Sequence, residues 1–334
     1  MNKSKMVIII EAIIIIVLLI IIYFISAKHD PSNNNQESYC EKNYNDNTKC
    51  LLSPRVYTSI LPANSFLILN FKPLKEDVQS YIDKNKLNLS VYVLNMRDGA
   101  SFGINSGEAY EPASLNKLPV AIIIMKKIEE GKLSLDTMLP ITDNDRDNSS
   151  GPLYALPINE LSVKDLLYYM LTESDDTALW VLVNQITVED LSHLSDYLNY
   201  YQEDINISKG NNNTYQITAK STGNLFISLY LSTALEPQDS EMILKLLTNT
   251  SFDINKYAAL PNNVTVAQKY GAYFTKEKKE FHSCGIIYVD DSRFFYCVMT
   301  QDLDKEKASQ TVGTIVNKLY NFILEGRKVK NIDV

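Results

Sequence analysis

The pattern of hydrophobic and polar positions begins with one long apolar run near the N-terminus. Positions 6–25 are almost wholly Ile, Val and Leu, and lysines stand before them at positions 3 and 5. A run of this length suits one bilayer-spanning helix, and preceding lysines favour a cytoplasmic N-terminus. We therefore expect residues 1–28 to form a cytoplasmic tip and transmembrane anchor, or alternatively a cleaved signal peptide. In both cases the rest of the chain lies outside the cytoplasm, and the anchor makes it a single-pass protein of the cell membrane.

A polar stretch separates this run from the patterned part of the chain. Residues 29–50 are rich in Asn and poor in large apolar side chains. Such a composition cannot bury enough apolar surface to fold alone and is typical of a linker. We therefore expect one folded domain at residues 51–334.

Within the domain, the spacing of apolar residues predicts strands towards both ends and a long series of helices between them. The pattern predicts an early helix, then two strands, at positions 74–84, 89–96 and from 101 onward. Helical periods follow at 115–130, 161–170, 177–185, 188–200 and 221–232. Three further strands and a closing helix are predicted at 264–274, 281–289, 293–302 and 305–325. This order predicts an α+β fold: a five-stranded antiparallel sheet built from N- and C-terminal strands, with a large all-helical region inserted between them and a cleft where the two meet.

The composition of the chain argues against some classes of function. The net charge is −8 and the sequence pI is about 5.1, which argues against a nucleic-acid partner because phosphate backbones need a basic face. The three histidines are far apart in sequence and the four cysteines match no metal-ligand spacing, so we expect no metal site. The expected partner is a small-molecule substrate, and the expected oligomeric state is a monomer.

Two cysteines are predicted to face each other across a hairpin. With Asp290 and Asp291 at the turn centre, Cys284 and Cys297 fall directly opposite on neighbouring strands. A disulfide and a pair of buried thiols are both compatible with this register, and we favour the thiols.

A Ser-x-x-Lys element opens the most apolar helical period. Ser114 and Lys117 are three residues apart, so they share a helix face and the lysine can reach the serine hydroxyl. A lysine in a dry cleft can lose its proton near neutral pH and serve as a base. The helix N-terminus also supplies N–H groups for an oxyanion. The motif occurs often by chance, so it indicates a nucleophile only in combination with further elements.

Two further elements supply that combination. Ser174-Asp175-Asp176 lies between two apolar helices, and Lys269-Tyr270-Gly271 lies in a predicted strand with Ala272 next. With these three elements in order, the chain resembles the class A β-lactamase and penicillin-binding serine hydrolase family, which has Ser-x-x-Lys, Ser-Asp-Asn and Lys-Thr-Gly in this order. The sequences around the elements also resemble those of the family: EPASLNKLPVA, LLYYMLTESDDTALWVLV and VAQKYGAYF. The resemblance covers roughly residues 60–330.

The resemblance implies a role for each matching residue. Ser114 would be acylated, and Lys117 would take or relay its proton. Ser174 would pass a proton to the leaving nitrogen, and Lys269 would hold the substrate carboxylate. The backbone N–H groups of Ser114 and Ala272 would form the oxyanion hole. The resemblance implies neither a metal nor an organic cofactor.

Two departures from the family pattern affect the implied substrate-binding set of Asp176, Lys269, Tyr270, Gly271 and Ala272. Asp176 stands where the family has Asn, and an ionised Asp accepts hydrogen bonds but cannot donate one. It could instead pair with the Ser-x-x-Lys lysine and keep that lysine protonated. Tyr270 replaces Thr, and a side chain that points away from the cleft would accommodate its bulk.

A third departure concerns deacylation. The chain has no clean Glu-x-x-Leu-Asn element, whose Glu activates the deacylating water in class A enzymes. Glu203 is a candidate, although its spacing is off by a residue. The first expectation is β-lactam hydrolysis. The alternatives are a D-alanyl-D-alanine peptidase or transpeptidase acting on cell-wall peptides, and a non-hydrolytic penicillin-binding or sensing domain.

Three other features receive structural interpretations. The better-looking Lys-Ser-Thr-Gly match at 220–223 precedes a helical run, so it is interpreted as a helix start. The run KEKKE at 276–280 is interpreted as a solvated hairpin turn. His282 is interpreted as a strand-edge residue, because the chain has no Gly-x-Ser-x-Gly element that would call for a catalytic histidine.

Overall fold

The computed structural model of the chain describes residues 70–200 and 216–330. Within them, strands from the two ends of the domain form one five-stranded antiparallel sheet, as predicted. The strands are β1 Leu89–Asn95, β2 Ser101–Ile104, β5 Thr265–Phe274, β6 Lys279–Val289 and β7 Ser292–Gln301. Their order across the sheet is β2-β1-β7-β6-β5. A separate two-stranded ladder pairs β3 Met138–Pro140 with β4 Glu160–Ser162.

The inserted region between β2 and β5 is largely helical, in agreement with the sequence. A 3₁₀ turn, Ala113–Asn116, leads into the first inserted helix, and a helix also stands at each end of the described fold. The helices are α1 Lys72–Asn85, α2 Lys117–Glu129, α3 Val163–Thr172, α4 Asp176–Val183, α5 Val188–Leu198, α6 Ala219–Tyr230, α7 Pro237–Leu247, α8 Ile254–Tyr257 and α9 Lys305–Lys330. The 220–223 motif lies in α6, which Thr218 caps, so its interpretation as a helix start is confirmed.

The sheet separates two apolar cores, because successive side chains of a strand point to opposite faces. On one face, residues such as Ile286 and Phe295 pack against the inserted helices. On the other face, residues such as Ile287 and Phe294 pack against α1 and α9. The alternation places Lys269 and Gly271 of β5 on the face of the inserted helices, and Tyr270 on the opposite face. Lys269 and Gly271 thus lie at the border between β5 and the helical region, which is where the sequence predicts a cleft.

The β6–β7 hairpin has the predicted register. Val289 pairs with Ser292 across a turn in which Asp290 has a φ of 48°. Cys284 and Cys297 are Cα partners, and the structure joins them in a disulfide. The preference for two thiols was wrong; the register places both sulfur atoms on one face of adjacent strands, where a bond can form.

Several features differ from the sequence prediction. The helix expected from position 115 begins as the 3₁₀ turn, and α7 was not predicted although Pro237 and Asp239 are ordinary N-terminal signals. The interpretation of the run 276–280 as a solvated turn holds for Lys276, Glu277 and Lys279, which are exposed, but Glu280 lies in β6 and is 1% exposed. His282 is fully buried in an interior strand, so its interpretation as a strand-edge residue was wrong.

Some predictions lie outside the described residues: the anchor at 1–28, the linker at 29–50 and Glu203. In the ranges 70–200 and 216–330, no helix is both long enough and apolar enough to cross a bilayer.

Candidate active site

The candidate nucleophile lies in the 3₁₀ turn that precedes α2. Ser114 is half-buried there, and Lys117 is the first residue of α2. Side chains three residues apart eclipse each other in a 3₁₀ turn, so the serine and lysine meet directly. The Lys117 Nζ donates to the Ser114 Oγ at 2.7 Å, and the lysine is fully buried. This contact places an amine that can act as a base beside a hydroxyl that can act as a nucleophile.

A second serine stands between two buried lysines. The Ser174 Oγ is 2.9 Å from the Lys269 Nζ and 3.4 Å from the Lys117 Nζ. Ser174 has a φ of 56°, and the next residue, Asp175, caps α4 by accepting from the Ala178 N–H at 2.8 Å. The tight turn and the cap together direct the Ser174 hydroxyl into the space between the lysines, where it can pass a proton.

The Lys269-Tyr270-Gly271 element comes close to Ser114 at its glycine. A Cβ added to Gly271 would lie 2.8 Å from the Pro112 carbonyl oxygen and 3.1 Å from the Ser114 backbone nitrogen. Only glycine therefore lets β5 lie this close to the 3₁₀ turn. Ala272 is the next residue on this edge strand and is exposed, beside the nucleophile.

Tyr270 does not share the face of Lys269. Its ring packs against Phe252 and Phe281 in the core on the side of α1 and α9. Its hydroxyl is 2.9 Å from the Ser251 Oγ, and its ring centroid lies 4.7 Å from the Lys269 Nζ. A bulky residue at this position is accommodated because the strand directs it away from the helical face.

The charges of the site are concentrated on two lysines and one carboxylate. The Asp176 Oδ1 accepts from the Lys117 Nζ at 2.5 Å, and the Asp176 side chain is 19% exposed. Burial lowers the pKa of Lys117, whereas the Asp176 carboxylate acts in the opposite direction. Burial and the positive charge of Lys117 hold the pKa of Lys269 well below its ordinary value, again opposed by Asp176. The sequence prediction that Asp176 pairs with Lys117 is confirmed, but burial outweighs its effect on the pKa.

The arrangement can carry out acyl transfer. Ser114 can attack a carbonyl while Lys117 accepts its proton, and Ser174 links that lysine to Lys269. In the part of the chain that the structure describes, no group of three or more His, Cys, Asp or Glu side chains could hold a metal ion.

A separate cavity of about 420 Å³ lies between the C-terminal half of α2 and α5. Ile122, Lys127 and Asp190 are among its lining residues, and a 2.9 Å ion pair joins Lys127 to Asp190. This cavity is not the candidate active site, because its lining includes none of the residues of the nucleophile cluster: Ser114, Lys117, Ser174, Asp176 and Lys269.

The structure brings together most of the predicted site and adds residues that the sequence interpretation missed. Ser114, Lys117, Ser174, Asp176 and Lys269 form one hydrogen-bonded cluster. The added residues are Glu280 and His282, which lie buried beside the segment that leads to the nucleophile. The period of two along β6 could have indicated them, since it places both on the face of Lys269.

Comparisons with known proteins agree with this geometry. A family model described as the β-lactamase enzyme family matches residues 73–323. The β-lactamase VEB-1 of Pseudomonas aeruginosa is 24% identical over 213 residues, which cover 58% of this chain and 70% of VEB-1. The crystal structure of TLA-3 extended-spectrum β-lactamase has a TM-score of 0.69 at 20% identity, covering 76% of this chain and 99% of that one. A mutant of PBP-A, solved as an acyl-enzyme complex with penicillin G, has a TM-score of 0.68 at 18% identity, covering 76% and 97%.

Proposed function

Because the chain belongs to the β-lactamase enzyme family, we propose that it is a serine hydrolase that opens β-lactam rings through an acyl-enzyme at Ser114. The observation that carries the proposal is the 2.7 Å contact of the Ser114 Oγ with the fully buried Lys117 Nζ. Burial lowers the pKa of this lysine, which makes its neutral, basic form more accessible than that of an exposed lysine.

In the proposed acylation, the Ser114 proton is delivered in steps to the ring nitrogen, and a C–O bond replaces the C–N bond of the ring. The Ser114 Oγ attacks the ring carbonyl carbon while its proton passes to the neutral amine of Lys117. The C–N bond of the ring then breaks, and the nitrogen takes a proton from the Ser174 hydroxyl, which Lys117 restores. Lys269 binds the substrate carboxylate, and the N–H groups of Ser114 and Ala272 stabilise the oxyanion.

Hydrolysis also needs a base for the deacylating water. Among the described residues, no glutamate hydrogen-bonds to Ser114, Lys117 or Ser174. Glu203 is our proposed base on sequence spacing alone. A Glu203→Gln variant that still acylates but accumulates the adduct would support this role, whereas unchanged turnover would exclude it.

The test of the proposed function uses the full chain with benzylpenicillin and a chromogenic cephalosporin. Intact-protein mass should show a penicilloyl adduct on Ser114, and the cephalosporin should turn over many times per molecule. Ser114→Ala should abolish both signals while the circular dichroism spectrum stays unchanged. An adduct that persists in the Ala variant would exclude Ser114 as the nucleophile.

A second candidate function is a D-alanyl-D-alanine peptidase or transpeptidase. It is favoured by Asp176, which replaces the family Asn, holds the lysine base and leaves no side-chain donor at that position. A stable penicillin adduct together with release of D-alanine from cell-wall peptides would identify this activity. A stable adduct without peptide cleavage would identify a sensing domain.

We also propose that the domain is exported and held at the membrane by residues 1–28. The apolar run at 6–25 and its preceding lysines support this, and the Cys284–Cys297 disulfide is of a kind that persists outside the cytoplasm. Membrane fractionation should recover the full chain, and a protease added to intact cells should remove the domain. Recovery of the chain in the cytosol would contradict the proposal.

A further inference from the structure

The segment that carries the nucleophile has a strained backbone. Ala113 has a φ of 45°, in the left-handed region that residues with a Cβ adopt at an energetic cost. The adjacent Pro112 carbonyl and Ser114 nitrogen lie so close to β5 that only Gly271 fits opposite them. Such strain persists only where the surroundings hold the segment in place. The contacts of residues 110–113 therefore help to determine where the Ser114 N–H points.

One such contact comes from His282 on β6. The His282 Nε2 lies 2.9 Å from the Glu111 carbonyl oxygen, and its ring meets the Tyr110 ring edge-on with centroids 5.4 Å apart. A carbonyl only accepts, so Nε2 carries the proton and donates. Burial lowers the pKa of His282 to about 4, so the neutral imidazole persists at neutral pH. The imidazole is fully buried, and His282 is the Cα partner of Gly271.

A second contact holds Glu111 by its side chain. The Lys278 Nζ is 2.8 Å from the Glu111 carboxylate and 3.3 Å from the buried Glu280 carboxylate. The Glu280 Oε1 also accepts from the Gln301 side chain at 3.2 Å, which ties the group to β7. Glu111 is thus held at its carbonyl by the imidazole and at its carboxylate by the lysine.

Both contacts originate in the β5–β6 hairpin, which also carries Ala272. We propose that His282, assisted by Lys278 and Glu280, is a positioning residue that fixes the Glu111–Ser114 segment against this hairpin, so that the Ser114 and Ala272 N–H groups converge on one oxyanion. The inference rests on the proposed acylation at Ser114 and gives these three polar groups a role in its transition state. The three act through Glu111 and do not touch the substrate.

The test separates acylation from binding. His282→Phe keeps a ring against Tyr110 but removes the donor, and should lower the acylation rate constant for benzylpenicillin about 10- to 100-fold. The dissociation constant of the non-covalent complex should stay within about threefold, because ground-state binding uses other groups. His282→Gln retains a donor near the position of Nε2 and should restore the rate to within about threefold of wild type.

A boronic acid reports the oxyanion hole directly. Phenylboronic acid binds the Ser114 oxygen and presents a hydroxyl where the oxyanion forms, so its affinity, measured by calorimetry, should fall in His282→Phe in parallel with the acylation rate. The matched control is Tyr296→Phe, which removes a buried hydroxyl that bonds Ser283 and Gln268 on the opposite sheet face. Its rate and boronic acid affinity should equal those of wild type even if its melting temperature falls.

Two outcomes would overturn the inference: a folded His282→Phe variant with wild-type acylation, or an equal loss in Tyr296→Phe. If His282→Phe does not fold, the acylation rate of Lys278→Met tests the inference. Lys278 is partly exposed, so we expect this variant to fold. A lowered rate supports the positioning role, and a wild-type rate overturns it. If the wild-type chain forms no penicillin adduct, the proposed function fails, and boronic acid binding to the same variants still tests the positioning.

Discussion

The Lys117 ammonium and the Asp176 carboxylate form a 2.5 Å ion pair inside the nucleophile cluster. Asp176 begins α4, and Lys117 begins α2, so the pair links the N-terminal ends of two helices. Asp176 opposes the effect of burial on the pKa of Lys117 and therefore favours the protonated, non-basic form. The residue that replaces the family Asn thus restrains the base.

Replacement of this carboxylate should accelerate acylation. In Asp176→Asn the pKa of Lys117 should fall further, because an opposing charge next to it shifts a pKa by about 1–3 units. More neutral amine would then be present at neutral pH, and acylation by benzylpenicillin should rise about tenfold. The gain should shrink as pH rises, because wild-type Lys117 then also deprotonates.

The measurement is the second-order acylation rate from neutral to alkaline pH. Asp176→Glu is the control, since it keeps the negative charge and should show no gain at neutral pH. A rate for Asp176→Asn at or below wild type throughout the range would refute this account of the residue.

Replacement of Lys269 should reduce activity, whereas replacement of Lys220, the lysine of the 220–223 motif, should not. Lys269 is buried and donates to Ser174, whereas Lys220 is exposed in α6. Lys269→Met should reduce the specificity constant about 100-fold, the loss expected for a hydrogen bond to a charged group. Lys220→Met should stay within about twofold, as surface substitutions do. Steady-state kinetics with a chromogenic cephalosporin measures both, and equal effects of the two would remove Lys269 from the site.

The glycine of β5 should be intolerant of a methyl group. In Gly271→Ala the new Cβ would lie 2.8 Å from the Pro112 carbonyl and would push the 3₁₀ turn away from the strand. We expect acylation to fall by about 100-fold, as for a displacement of about 1 Å near the reacting atoms. Gly107→Ala is the matched control, because its Cβ would meet nothing within 4 Å. Full acylation in Gly271→Ala would show that the close approach is not required.

The buried imidazole should make stability depend on pH. The pKa of His282 is lowered from 6.5 to about 4 by burial, so between these values the unfolded chain binds the extra proton. The free energy of unfolding should therefore fall as pH decreases through this window, by on the order of 3 kcal/mol more than in His282→Gln. Urea denaturation at a series of pH values measures it. His193→Gln is the control, because it makes the same substitution at a histidine whose side chain is exposed.

The sequence by itself determined most of the local elements and the residues that form the hydrogen-bonded cluster around Ser114. The period-two pattern and the turn at Asp290 and Asp291 set the β6–β7 register that pairs Cys284 with Cys297. The Ser-x-x-Lys spacing was sufficient to place Ser114 beside Lys117, because contacts between residues three apart in a helical turn depend only on local geometry.

Only the tertiary structure decided the features that depend on long-range packing. Glu280 belongs to a charged run that indicates a solvated turn, yet its carboxylate is buried and contacts Lys278 and the Gln301 side chain of β7. His282 likewise acquires its partner from a residue 171 positions away. Burial and desolvation set the direction of these pKa shifts, and both depend on how distant segments enclose a group, which no local pattern of residues encodes.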